Sequence, residues 1–126
     1  MLKFVSTLNA PQAIGPYSQA VLAGQTLYVS GQTPLVPETM KIVSQEIKAQ
    51  TKQCLDNIKT IVEAAGFESE NIVKCGVFLK DMNMFKDMNS VYREFFGNHK
   101  PARVTVEVSR LPLDALVEID AICYKE

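Results

Sequence analysis

The run Arg103-Val104-Thr105-Val106-Glu107-Val108 alternates polar and apolar residues. Successive side chains of a strand point to opposite faces, so the valines share one face and Arg103, Thr105 and Glu107 the other. A guanidinium on a rigid strand suits a small carboxylic acid, because its planar fork donates two parallel hydrogen bonds to one carboxylate. Near the C-terminus the same alternation groups Val117, Ile119, Ala121 and Cys123, leaving Leu116, Glu118, Asp120, Ile122 and Tyr124 opposite. Glu118, a carboxylate among apolar neighbours, could orient or deprotonate a water. If the two strands pair, Arg103 and Glu118 line one surface; the competing reading is a solvent-facing salt bridge. Two loops add possible site material. Gly15-Pro16-Tyr17-Ser18 offers a stiff backbone and an aromatic wall, and Ser30-Gly31-Gln32 offers an N–H at a glycine that admits close approach. Ordinary turn chemistry accounts for either loop taken alone.

Other chemistries lack their residues. His99, in GNHKP, is the only histidine. A Ser-His-Asp or Cys-His unit would depend on it alone, and a solvated loop histidine is the simpler reading. No paired Cys or His spacing suggests zinc, and no glycine-rich signature suggests a nucleotide, so neither metal nor cofactor is expected. Thirteen Lys and Arg against 14 Asp and Glu give a formal charge of -1. With the cations scattered, nucleic acid is not the default partner. Cys54, Cys75 and Cys123 are an odd number at wide spacing among apolar residues, which reads as buried thiols in a reducing compartment. The opening MLKFVSTLNAPQ lacks a signal-peptide apolar segment, and no run approaches the ~18 apolar residues of a membrane span. A cytoplasmic protein is expected.

The elements that must position these residues follow from pattern. A chain of 126 residues reads as one domain, 1–126, able to bury about two-thirds of its unfolded surface without staples. Residues 2–7 suit a strand, and a hairpin turns at Ala23-Gly24-Gln25. A loop opened by Pro34 and Pro37 reaches about Val43, and Ser44 is positioned as a helix N-cap. Apolar residues from Ile47 through Cys54, Leu55, Ile58, Ile61 and Val62 recur at helical steps until Gly66. NIVKCGVFLK reads as a strand, and Asp81 can cap a second helix running from Phe85 to Phe96, stopped by Gly97. ARVTVEVS and ALVEIDAICYK are two strands with an antiparallel connection around Pro112. The class is therefore α+β, two helices on one face of a sheet. In NIVKCGVFLK, Val73, Cys75, Val77 and Leu79 point one way, yet Ile72, Gly76 and Phe78 opposite are also largely apolar. Two helices cover only one face, so the other is expected to pack on another copy of the chain.

The motifs AIGPYSQAV at 13–21, VSGQTP at 29–34, CLDNIKTIVEAAG at 54–66, VFLKDMNMF at 77–85, PARVTVEVSRLP and VEIDAI occur in order along the chain. Together they resemble the RidA (YjgF-like) family of reactive enamine/imine deaminases over essentially its whole length. The resemblance implies a chorismate-mutase-like α+β fold: a mixed six-stranded sheet with two helices on one face, whose sheet faces form the core of a homotrimer with clefts between subunits. It also implies cofactor-free hydrolysis of 2-aminoacrylate, 2-aminocrotonate and related 2-imino acids to 2-oxo acids and ammonia, protecting the pyridoxal-phosphate enzymes that release them. By the same resemblance Arg103 binds the substrate carboxylate, helped by the backbone N–H of Gly31 and Thr105, with Ser30 in the same binding set. Glu118 positions the attacking water, Tyr17 reaches in from the neighbouring subunit, and Asn89 is a further cleft residue. Many relatives carry cysteine where this chain has Thr105, so a thiol is not its nucleophile. The alternative is a small-carboxylate sensor or interaction protein that uses the same inter-subunit cleft without turnover.

Overall fold

Apolar residues at three- and four-residue steps wind into α1 (Ile47–Ala64), which buries Cys54, Leu55, Ile58, Ile61 and Val62 along one side. The second amphipathic run forms α2 (Phe85–Phe96), with Met88 and Tyr92 buried. Both helices end at a glycine of positive φ, Gly66 at 85° and Gly97 at 62°. A computed structural model describes all residues, 1–126.

Six strands make one sheet: β1 (Leu2–Val5), β2 (Ala20–Ala23), β3 (Thr26–Gln32), β6 (Ile72–Leu79), β7 (Ala102–Glu107) and β8 (Val117–Tyr124). Within the stretch expected as loop, two short strands, β4 (Leu35–Val36) and β5 (Lys41–Ile42), pair separately. The sheet order is β1-β2-β3-β8-β6-β7. Every pairing is antiparallel except β6 with β7, which α2 joins as a parallel crossover. The helices cover one face, where Leu27, Ile72, Val77, Leu79 and Ile119 meet α1 in the core. Each such side chain contributes about 1.5–3 kcal/mol on burial. No helix is long and apolar enough to cross a membrane.

Three expectations change. β7 and β8 do not pair: β6 lies between them, because alternation defines faces and says nothing about which strands are neighbours. In β6 the ladder to β8 shifts register between Ile72 and Lys74, so Ile72 turns into the core beside Cys123 and Val73 turns out, 46% exposed. Ser44 is not the N-cap of α1; its hydroxyl accepts from the Glu46 N–H at 3.0 Å before the helix begins. The buried Gln50 ties that segment down, donating to the Ser44 carbonyl and accepting from the Leu116 N–H, both at 2.8 Å. Asp81 does cap, accepting from the Asn83 N–H at 2.9 Å in a short 3₁₀ turn that leads into α2.

The uncovered face is apolar, as expected. Register places Leu2, Phe4, Tyr28, Tyr124, Val104 and Val106 on it, and each is between 38% and 69% exposed. Asp120 sits among them with its carboxylate accepting from the Gly76 N–H at 2.7 Å.

Candidate functional site

The sequence-predicted residues fall into two groups at different places on the chain. The first surrounds Glu118. The β3–β8 ladder shifts register between Val29 and Gln32, so Ser30 and Gly31 bulge and bring the Gly31 backbone against the Glu118 side chain. A Cβ at Gly31 would collide with the Glu118 carboxylate and lie 3.0 Å from its carboxyl carbon. Only glycine leaves the acid where it is. Tyr17, Ser30, Gly31 and Glu118 line one cleft of about 590 Å³, with Ile14 and Leu113 at its rim. Burial raises the Glu118 carboxyl above its usual range, and the neighbouring Asp120 adds to the rise.

Two side chains here serve the scaffold. The Ser30 hydroxyl donates to the Ser18 carbonyl at 2.6 Å, so Ser30 offers the cleft its backbone rather than a free hydroxyl. Gln19, which the sequence reading missed, is buried; it accepts from the Thr7 N–H at 2.7 Å and donates to the Pro11 carbonyl at 2.8 Å. It thereby pins the loop that carries Tyr17.

The second group surrounds Arg103. Its register partners Cys75 and Ala121 are core residues, so Arg103 faces the helices. Nη1 donates to Asn89 Oδ1 at 2.8 Å, and the guanidinium carbon lies 4.7 Å from the Tyr92 ring centroid and 5.5 Å from that of Phe85. The only ion pairs are Lys52–Asp56 and Arg110–Asp114, so Arg103 has no carboxylate partner. Thr105 shares its face, with the hydroxyl buried and unpartnered. β7 is an edge strand, and the Val108 N–H donates to the Leu79 carbonyl at 2.9 Å. Alternation therefore turns the N–H groups of Arg103 and Thr105 away from β6, onto the free edge.

Arg103 and Glu118 thus do not line one surface of one chain. They occupy opposite faces of strands two spacings apart, about 10 Å, with β6 between, and Glu118 is level with Val106, three residues along from Arg103. Glu107 is occupied elsewhere, accepting from the Met82 N–H at 2.8 Å. His99 is half-buried rather than solvated, its Nε2 lying 2.7 Å from the Ile72 carbonyl oxygen.

The three thiols are free and buried. Burial pushes Cys75 up to about 11 and Cys123 up to about 12, and raises Cys54 well above its usual value. None offers a thiolate near neutrality. No group of three or more His, Cys, Asp or Glu side chains is arranged to hold a metal ion.

Comparison with known proteins finds that a family model described as Endoribonuclease L-PSP matches residues 7–125. The chain is 60% identical over 124 residues to a RutC family protein of Sulfurisphaera tokodaii, covering 98% of this chain and 99% of that one. It is 48% identical over 128 residues to the 2-iminobutanoate/2-iminopropanoate deaminase of Escherichia coli, covering 99% of each. Among solved structures, E. coli TdcF with bound serine superposes with a TM-score of 0.94 at 42% identity, over 98% of this chain and 99% of that one.

Proposed function

The chain belongs to the Endoribonuclease L-PSP family, the YjgF/RidA group, and from that premise we propose that it hydrolyses 2-imino acids and their enamine tautomers to 2-oxo acids and ammonia, in clefts between the subunits of a homotrimer. The observation that carries this reading is the division of the site. An unpaired guanidinium lies at one sheet edge, a carboxyl of raised pKa lies in a cleft elsewhere, and the sheet face between them is apolar and uncovered. Two copies that bury this face can set Arg103 of one subunit beside the Glu118 cleft of the next. Cyclic closure of that head-to-tail contact with three copies gives three equivalent sites.

In this arrangement the substrate carboxylate forks onto Arg103, and the free-edge N–H of Thr105 and the N–H of Gly31 bind its oxygens. Asn89 holds the guanidinium from behind, while Ser30 backs Gly31. Ser30 and Gly31 come from the adjoining subunit together with Tyr17 and Glu118, whose cleft they line. Water beside Glu118 adds to the C=N carbon. A C–O bond forms, the π pair moves to nitrogen, and Glu118 takes a proton from the water. Returned to nitrogen, that proton completes a neutral carbinolamine; Glu118 then relays the hydroxyl proton to the amino group as the C=O bond forms and the C–N bond breaks, releasing ammonia and the 2-oxo acid. Water enters, ammonia leaves and nothing is oxidised. A carboxyl raised toward neutrality is better matched to this shuttling, typically worth ~10²–10⁴-fold, and anchoring the carboxylate adds a proximity effect.

The deaminase name of the E. coli relative and the serine bound to TdcF agree with recognition of a small amino-acid-like carboxylate. Cleaving RNA would ask for a basic surface that follows phosphates; the cation used here is one recessed guanidinium. Three buried, unpaired thiols fit a reducing cytoplasm.

The test generates 2-aminoacrylate or 2-iminobutanoate in situ, traps the unreacted imine with semicarbazide, and compares wild type with Arg103→Ala. Wild type should speed loss of the imine and the variant should not, although both sediment as trimers. Equal rates from the two would remove Arg103 as the anchor, and no acceleration by wild type would end the deaminase reading.

A further inference from the structure

Arg103 is gripped by a single helix. Phe85, Asn89 and Tyr92 are spaced by four and then three residues along α2, so they stand on one face of it, the face turned to β7. Asn89 takes one guanidinium N–H, and the rings of Tyr92 and Phe85 lie 4.7 Å and 5.5 Å from its central carbon. Tyr92 is only 8% exposed and is backed by Phe96, their ring centroids 4.7 Å apart, so it cannot swing aside without disturbing the packing. The four remaining N–H donors have no protein partner.

We propose that α2 is a clamp that sets the plane of the Arg103 guanidinium, with the aromatic faces of Tyr92 and Phe85 as positioning residues for the substrate carboxylate. This rests on the reading of Arg103 as the carboxylate anchor. A bidentate fork forms only when guanidinium and carboxylate are nearly coplanar, and a free arginine must freeze several rotors to reach that geometry. Stacking on two rings freezes them beforehand, and the ring quadrupoles stabilise the charge that has no counter-ion within the chain. The ring of Tyr92 is what matters. Its hydroxyl is buried against the Cys75 thiol and makes no well-formed hydrogen bond, so it is not offered to a ligand.

Ring and hydroxyl can be separated experimentally. On the assembled protein, kcat and KM for an in-situ 2-imino acid, calorimetric affinity for 2-oxobutanoate and the Nε–H NMR relaxation of Arg103 would be compared across Tyr92→Phe, Tyr92→Leu and Phe85→Leu. Tyr92→Leu should raise KM and weaken 2-oxobutanoate by about tenfold, change kcat much less, and loosen Arg103. Phe85→Leu should do the same to a smaller extent, and it carries the test if Tyr92→Leu fails to fold. Tyr92→Phe should rescue KM, affinity and relaxation together. Unchanged KM and affinity in both leucine variants, or a Phe variant as impaired as the Leu variant, would overturn the clamp. Binding and relaxation need no turnover, so a wild type that binds 2-oxobutanoate without hydrolysing imines would sink the deaminase reading while the clamp is still judged. A wild type that does not bind 2-oxobutanoate would overturn the clamp as well.

Discussion

The edge around Arg103 and the cleft around Glu118 solve the same problem, holding one charged group still, by opposite means. Arg103 is immobilised by what surrounds it: two rings and an amide from α2. Glu118 is placed by what is missing, since the absent side chain of Gly31 is the space its carboxylate occupies. The first arrangement spends aromatic packing and leaves the charge unneutralised. The second spends a strand bulge and leaves the acid partly desolvated, which raises its pKa. Each region is complete as a holder and incomplete as a site.

The harshest way to break the pairing is to keep two copies apart. A charge on the uncovered face, Val104→Asp with Val106→Asp, should abolish assembly and with it essentially all imine hydrolysis. Sedimentation would report a smaller particle, and circular dichroism an unchanged fold, because both valines point away from the core. Next, Glu118→Gln should lower kcat by ~10²–10⁴-fold while 2-oxobutanoate still binds at the Arg103 edge. Loss of binding in calorimetry would make Glu118 part of the anchor rather than the water holder. Gly31→Ala should be milder: it displaces the carboxylate without removing it, and a shift of about 1 Å costs up to ~100-fold in kcat. A Gly31→Ala enzyme with full kcat would dissociate the bulge from catalysis.

The pH dependence is the smallest effect. Because folding raises the Glu118 pKa, the folded chain holds that proton more tightly than the unfolded one. The site is therefore least unfavourable below the ordinary glutamate value of about 4.3, and stability is lost as pH rises from there through the folded value. In an Arg103→Ala background, which removes the guanidinium that a neighbouring subunit would bring to Glu118, Glu118→Gln should raise the melting temperature at pH 7 slightly, by under about 2 °C given that the group is only half-buried. The gap should close below about pH 4. With Arg103 restored the gap should shrink or reverse, since assembly sets its guanidinium beside Glu118; a Glu118→Gln variant that melts lower in the Arg103→Ala background would contradict the raised pKa.

Helical periodicity located both helices, and period-two alternation sorted β7 and β8 into faces, with Arg103 apart from Val104 and Glu118 apart from Ile119. Alternation is local, however, and sheet order is not. Nothing in PARVTVE or VEIDAI indicates that β6 runs between them, so the two charges looked like neighbours. Bulges were equally invisible: one extra residue at Val73 or at Ser30-Gly31 reverses a face without leaving a composition signal. The buried amides Gln19, Gln50 and Asn57 leave no burial signal in the sequence, because their partners are distant loop carbonyls and N–H groups. The GPY, SGQ and PAR motifs name the candidate residues; only the three-dimensional arrangement separates them into two groups.

The central claim, that one site takes its anchor from one subunit and its acid from the next, is tested most directly by mixing two inactive variants. Arg103→Ala and Glu118→Gln subunits would be co-refolded in equal amounts and assayed for imine hydrolysis. If the site is shared, each mixed trimer regains one intact cleft, and activity should return to about a quarter of wild type on random assembly. Activity no greater than that of the separate variants, with mixed trimers confirmed by mass, would contradict the shared site.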